Sequence, residues 1–259
     1  MSDARILVGR TGPLATVTLN RPDQHNVIDL QAWHELAGVF EQLAADSDLR
    51  GVIVTGAGKS FSAGADIADF EQTRGSPEQG IAYERAVDVA CDAIAGVGCP
   101  VIAAIRGYCY GGACNIAMAS DFRFVSPDAR FAIPAAKLSI VYSSRGMTRL
   151  AALVGLTEAK RIFYTGRTFD AAHAMATGFA DEIADDPVVR ATEWLTDIVD
   201  LAPLSIAGSK RILDMIAMTD RPFDMVQAEM VTYRALASED YREGRLAFRE
   251  KRAPGFKGK

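Results

Sequence analysis

The chain is poor in the residues that build metal centres. It has three histidines and four cysteines, Cys91, Cys99, Cys109 and Cys114, in 259 residues. The cysteines show no metal-ligand spacing, so no metal site is expected, and reduced, mostly buried thiols are the simpler reading. Basic charge is also scarce overall. The formal net charge is −5, so no general positive field argues for nucleic acid or an anionic membrane surface. No apolar stretch approaches the roughly 20 residues needed to span a bilayer. The opening MSDARILVGRTGP lacks the basic start and long apolar run of a cleavable signal peptide. A cytoplasmic protein is therefore the default expectation. Low-complexity segments and long linkers are lacking too.

What is present is ordinary for a globular chain: 49% hydrophobic and 24% charged residues. The length suffices for one large core, with or without an appendage. Charge is unevenly placed. From Arg242 to Lys259 the chain carries seven basic and two acidic residues, hence +5, leaving −10 for the remainder. Such a tail is either a solvated end or a local site for a phosphate.

Periodicity gives a coarse layout. Ile6–Gly9 and Ala15–Asn20 flank a turn at Thr11-Gly12-Pro13 and read as a hairpin that Arg21-Pro22 ends. Leu30–Ala45 has helical spacing, with Leu30, Trp33, Leu36, Ala37, Phe40 and Leu43 near one face. Gly51–Gly58 reads as a buried strand running into a glycine turn, and Tyr83–Ile94 as a helix. Then come the strand Pro100–Arg106, a helix from about Gly112 to Ser120 and the strand Phe122–Ser126. Strand, turn and helix in repetition suggest a stacked α/β fold, and near-continuous apolar strands a sheet covered on both faces. From about Ala171 the chain reads as mainly helical, including Pro187–Leu201, Ile206–Met218, Phe223–Ala237 and Asp240–Arg252. The expected division is a core of residues 1–201 and a helical C-terminal region of residues 202–259.

Two familiar motifs fail on inspection. Gly58-Lys59-Ser60 follows a strand, but a phosphate loop needs a glycine where Ile53 stands. No Gly-x-Ser-x-Gly elbow is present, and His25, His34 and His173 have no serine partner nearby in sequence. Two glycine-containing turns remain, Phe61–Ile67 and Tyr110–Asn115, each where a strand gives way to a helix. Helix N-termini expose unpaired N–H donors, so two such turns on neighbouring strands can aim one donor each at a single oxygen. The plainer alternative is that each glycine only permits a tight turn.

The segments Val17–Asp29, Val52–Ile67, Pro100–Phe124, Gly146–Ile183 and Glu243–Gly258, in order and at suitable spacing, resemble the crotonase (enoyl-CoA hydratase/isomerase) superfamily along nearly the whole chain. The resemblance implies an α/β spiral of repeated ββα units. It also implies a helical C-terminal region that builds homotrimers, often paired into hexamers, and a substrate that is an acyl-CoA thioester. No separate cofactor is implied, because CoA is part of the substrate. By the same resemblance the backbone N–H groups of Ala65 and Gly112 hold the thioester carbonyl. Ala63, Gly64, Ala65, Asp66 and Ile67, with Gly112, line the CoA site, and the basic tail (Arg252, Lys257 or Lys259) meets the nucleotide phosphates. Asp66 reads equally as a helix cap.

The chain departs from the hydratase pattern where the acids belong. Two glutamates place and activate water in hydratases of this family; the matching positions here are Asn115 and Ala135. Asn cannot ionise and Ala offers no polar atom, so standard hydration is disfavoured. The run Val141–Leu150 replaces a glycine-rich loop with Tyr142, Ser143, Ser144 and Arg145. Tyr142 and Asn115 are the residues expected to orient the acyl group, with Arg145 or a serine on a polar substituent such as a carboxylate. The competing reading is that Tyr142 packs and Arg145 pairs with a surface carboxylate. The expected activity is thus acyl-CoA processing through a stabilised enolate. Isomerisation, decarboxylation or hydrolysis of a polar or carboxylated acyl-CoA gains weight over hydration, and a non-catalytic acyl-CoA-binding protein is the rival.

Overall fold

The computed structural model describes residues 4–138, 140–218 and 224–259. β1 (Ile6–Thr11) and β2 (Leu14–Leu19) form the expected hairpin, antiparallel across Gly12-Pro13. β3 (Gly51–Gly56), β4 (Val101–Ile105), β6 (Phe122–Val125) and β9 (Glu182–Ile183) then add in parallel, for a sheet order β1-β2-β3-β4-β6-β9. Three short strands, β5 (Tyr108–Tyr110), β7 (Arg130–Ala132) and β8 (Phe169–Asp170), make a second sheet ordered β5-β7-β8.

β3 and β4 are almost wholly apolar because both faces are covered. Val52, Val54, Val101, Ala103 and Ile105 point into the larger core, which holds α1 (Leu30–Ala44), α3 (Pro77–Gly96) and α4 (Gly112–Ala119). Their neighbours Ile53, Ile102 and Ala104 point to the other side, against Ala191 and Leu195 of α7 (Pro187–Ile198). Period-two alternation thus persists inside a run that shows no polar alternation.

α1 starts where Asp29 accepts the Ala32 N–H at 2.7 Å. It buries Trp33, Leu36, Ala37, Phe40 and Leu43 at helical spacing. α3 begins earlier than the sequence periodicity shows. Ser76 and Gln79 close a capping box with Pro77 at the first position, all of it upstream of the apolar stripe. A short helix, α2 (Phe70–Thr73), precedes it.

The repeat of long strand, short strand and helix is clearest in β4-β5-α4. Its predecessor keeps only an isolated bridge, Ser62 to Cys109, in place of the short strand. After β7 come α5 (Ser144–Thr165), β8, α6 (Ala171–Thr177), β9, α7, α8 (Pro203–Ala217), α9 (Met225–Ala237) and α10 (Glu239–Glu250). Among the described residues the region after Ala171 is thus mainly helical, with the two residues of β9 as its strand. Phe223, the expected start of α9, lies outside the described residues. Arg123, 2% exposed, ties β6 to the β9 segment through Asp181 at 2.6 Å and the Phe179 carbonyl at 2.8 Å.

Candidate active site

The parallel strands deliver two turns to the same end of the sheet. In the first, Ile28 donates to the Gly64 carbonyl at 2.8 Å and accepts from Asp66 at 3.0 Å. This isolated parallel bridge leaves the intervening Ala65 N–H directed away from Ile28. Gly64 has φ +91°, and a Cβ there would lie 2.4 Å from the Tyr110 carbonyl oxygen. Only glycine fits so close a backbone approach. Asp66 caps a short 3₁₀ helix, Ile67–Asp69, by accepting from Ala68, and pairs with Arg21 at 3.0 Å. Its cap role is as expected. Ala63 and Asp66 are half-buried and Ile67 is exposed, so the turn presents accessible surface.

The second turn abuts the first. A Cβ on Gly112 would lie 3.7 Å from the Ala65 nitrogen, and one on Gly64 would lie 3.3 Å from the Gly112 nitrogen. Gly112 opens α4, so its N–H has no intrahelical partner. Neither the Ala65 nor the Gly112 N–H donates to a protein acceptor among the described residues. Underneath lies Trp33, whose ring a Gly112 Cβ would approach to 2.9 Å. Trp33 Nε1 donates to the Tyr83 hydroxyl at 3.0 Å, which donates in turn to the Ile28 carbonyl at 3.2 Å. Trp33 is core, as its spacing suggests, and it is also the floor of the Gly-Gly turn.

One helical turn along α4, Asn115 is 7% exposed, and its Oδ1 is buried without a partner. Its amide makes no hydrogen bond among the described residues. Oδ1 faces Gly146, where a Cβ would stand 2.9 Å away and 3.5 Å from Cδ2 of Tyr142. Asn115 and Tyr142 are therefore brought together around Gly146. Tyr142 packs edge-on against Phe163 at 5.2 Å, and its hydroxyl points towards Gly111. Burial pushes that hydroxyl well above its ordinary pKa, with Cys114 and Glu84 adding to the effect and Arg74 opposing it. It stays protonated at neutral pH and serves as a hydrogen-bonding group rather than a phenolate. Ala135 is buried in the larger core.

Other polar residues near the site are engaged within the chain. Arg145 pairs with Asp92, which also holds Arg149 at 2.7 Å. Ser143 caps α5 by accepting from Gly146 and donates to Asp88 at 2.7 Å; Ser144 is exposed at the first turn. The basic tail does not reach the site within the chain. Lys257 and Gly258 donate backbone N–H groups to Asp240 at 2.7 Å, and Gly258 packs by Pro203 and near Arg50, which precedes β3. That is where the strands begin, whereas the two turns lie where they end. Arg252 is engaged by Glu243 and Glu250, and together with the Gly255 N–H it draws the Glu243 carboxyl down to about 2.

His25 Nδ1 and Ser60 Oγ do meet, at 3.2 Å. Ser60 is buried, however, and no described carboxylate orients the imidazole, so this is no catalytic triad. The cysteines are free and buried, with burial raising Cys91 and Cys99 to about 12.

Two charged residues escape sequence reasoning. Arg74 stacks over the Tyr83 ring, 3.9 Å from its centroid, and pairs with Glu84 at 2.9 Å. Burial, reinforced by Asp88, raises the Glu84 carboxyl pKa, and Arg74 opposes the shift. No motif marks either residue. The only signal is a charge adjoining the buried Tyr83 in a helix read for its apolar stripe.

Residues 9–259 match the family model described as enoyl-CoA hydratase/isomerase. The chain belongs to the enoyl-CoA hydratase/isomerase family. Among similar proteins, a probable enoyl-CoA hydratase of Mycobacterium tuberculosis is 31% identical over 258 residues, 99% of each chain. A carnitinyl-CoA dehydratase of Proteus mirabilis is 34% identical over 261 residues, 96% of each. An enoyl-CoA hydratase/carnithine racemase from Magnetospirillum magneticum superposes with a TM-score of 0.92 at 34% identity, covering 100% of this chain and 97% of that one. The fold is thus the mixed α/β architecture of this family with C-terminal helices, and the protein is a family enzyme acting on acyl-CoA.

Proposed function

We propose that this family member stabilises a thioester enolate with the N–H groups of Ala65 and Gly112, and that hydration of a simple enoyl-CoA is not its main reaction. The observation that carries the first half is the pair of abutting turns whose two N–H groups have no protein acceptor. When a bond to the carbon beside the thioester breaks and leaves its electron pair there, the pair delocalises onto the carbonyl oxygen. The bond lost is to a proton or to a carboxylate departing as CO₂. Fixed donors stabilise that oxyanion without reorganising, worth about 3–4 kcal/mol per donor.

The second half rests on Asn115 and Ala135. Neither supplies the acid–base pair that positions and activates water, and such groups contribute roughly 10²–10⁴-fold each. Tyr142 and Asn115 instead orient the acyl group. Ala63, Gly64, Ala65, Asp66, Ile67 and Gly112 form the CoA-facing surface. Isomerisation, decarboxylation and thioester hydrolysis all pass through the same enolate-like or oxyanionic charge. The relatives named as hydratases and dehydratases share the scaffold.

The test is turnover of crotonyl-CoA against a panel of branched, aromatic and carboxylated acyl-CoAs, with products followed by mass spectrometry. The expected result is slow crotonyl-CoA hydration, faster conversion of another substrate, and a gain of about 10² or more in hydration for Asn115→Glu with Ala135→Glu. Substantial hydration by the natural chain, unchanged in the double variant, would contradict the reading.

A further inference from the structure

The Tyr142 hydroxyl stands beside the Gly-Gly turn. It lies 3.9 Å from where a Cβ on Gly111 would stand, and Gly111 immediately precedes the Gly112 donor. The hydroxyl makes no hydrogen bond among the described residues, and Tyr142 is half-buried rather than sealed. A tyrosine hydroxyl in apolar surroundings normally finds a partner, so an unbonded one at this place is available to a ligand. The ring is steadied by Phe163, edge-on at 5.2 Å, and the backbone after it by the Ser143 cap of α5. Burial keeps the proton on the oxygen. The group is thus able to give a proton and unable to act as a base.

The residues around it offer no free base. Asn115 and Ala135 stand where the acids of a hydratase are expected. Of the described carboxylates, Glu84 is engaged by Arg74, Asp88 by Ser143, Asp92 by Arg145 and Arg149, and Asp66 by Arg21. An enolate made by taking a proton from carbon needs a base within reach. One made by loss of CO₂ needs none, because the broken C–C bond leaves its electron pair behind. It needs a proton donor instead, to turn the carbon back into C–H. A cation bonded to the departing carboxylate would stabilise the ground state and oppose its loss. Arg145, the arginine of this segment, is bonded to Asp92.

Resting on the enolate reading above, we propose that the chain decarboxylates an acyl-CoA whose carboxylate sits on the carbon beside the thioester, with Tyr142 as the catalytic acid. The bond from that carbon to the carboxylate breaks and CO₂ leaves. Its electron pair passes into the enolate held by the Ala65 and Gly112 N–H groups. The Tyr142 O–H proton then goes to the carbon, and solvent reprotonates the tyrosinate. The net reaction consumes a proton, releases CO₂ and calls for no oxidant, reductant or second substrate.

The experiment follows CO₂ release from malonyl-CoA and methylmalonyl-CoA, with butyryl-CoA, which carries no carboxylate, as the companion ligand. The natural chain is expected to turn over at least one of the two carboxylated thioesters. Tyr142→Phe is expected to lower that kcat by about 10²–10⁴, the contribution of a positioned acid. Butyryl-CoA binding by calorimetry persists in the variant, which also reports that it is folded. A second measurement needs no variant: with no base at the site, butyryl-CoA held on the natural chain in heavy water keeps the hydrogens beside its thioester. Binding of butyryl-CoA without CO₂ release from either substrate would overturn the inference and leave the enolate reading intact. So would an unchanged kcat in a folded Tyr142→Phe, or enzyme-dependent exchange of the butyryl-CoA hydrogens. Failure to bind butyryl-CoA at all would overturn both.

Discussion

At the scale of single residues, glycine is required where backbone meets backbone or ring. Gly112 has no room for a methyl group, because Trp33 is fully buried and held by Tyr83. Gly112→Ala must therefore move the turn rather than the ring. The expected cost is about 1–3 kcal/mol in stability from overpacking and about 10²–10³ in kcat, the loss typical of one misplaced oxyanion donor. Thermal melting and steady-state kinetics on the preferred substrate check both; a well-folded variant with unaltered kcat would contradict the donor role of Gly112. The Gly-Gly turn itself was legible after an apolar strand, whereas its reading as a donor came from the family resemblance, because a glycine pair by itself reads equally as a tight turn. Arg74 and Glu84 were not legible, because Arg74 follows α2 and meets Tyr83 and Glu84 of α3 only through packing. Of the two readings of Arg145, pairing with a carboxylate is the one seen, and its partner Asp92 lies on α3, fifty-three residues away.

At the scale of elements, α3 is the piece that ties the segments around the Gly-Gly turn together. It brings Tyr83 to Trp33, Glu84 to Arg74, Asp88 to Ser143 and Asp92 to Arg145 and Arg149. Its apolar stripe, Tyr83, Ala86, Val87, Ala90, Cys91 and Ile94, made the helix readable from Tyr83 onward. The first turns carry no such stripe, and the capping box is what starts them. Ser76→Ala removes that cap, at about 1 kcal/mol. Denaturant unfolding is expected to show this loss. An unchanged unfolding midpoint would show that the box contributes nothing.

At the scale of the whole molecule, the sheet and its helices account for the site, and the last helices leave apolar surface uncovered. Leu213 and Ile216 on α8 and Val226, Met230 and Tyr233 on α9 are exposed, more apolar area than isolated surface residues explain. We propose that the C-terminal region associates copies of this chain into a trimer or a pair of trimers. Light scattering is expected to show that mass, and Met230→Asp with Tyr233→Asp a smaller one; a monomer from the natural chain would contradict it. The strand order was only partly foreseeable, because the residues of β9 and the short second sheet are too few to show a period. The central claim is that Ala65 and Gly112 both donate to the thioester oxygen. Difference infrared spectroscopy of bound butyryl-CoA, with ¹³C at the thioester carbonyl, tests it most directly. Two donors predict a carbonyl stretch displaced to lower wavenumber than in free butyryl-CoA, and a displacement reduced in Gly112→Ala. A bound carbonyl with the frequency of the free thioester would contradict the account.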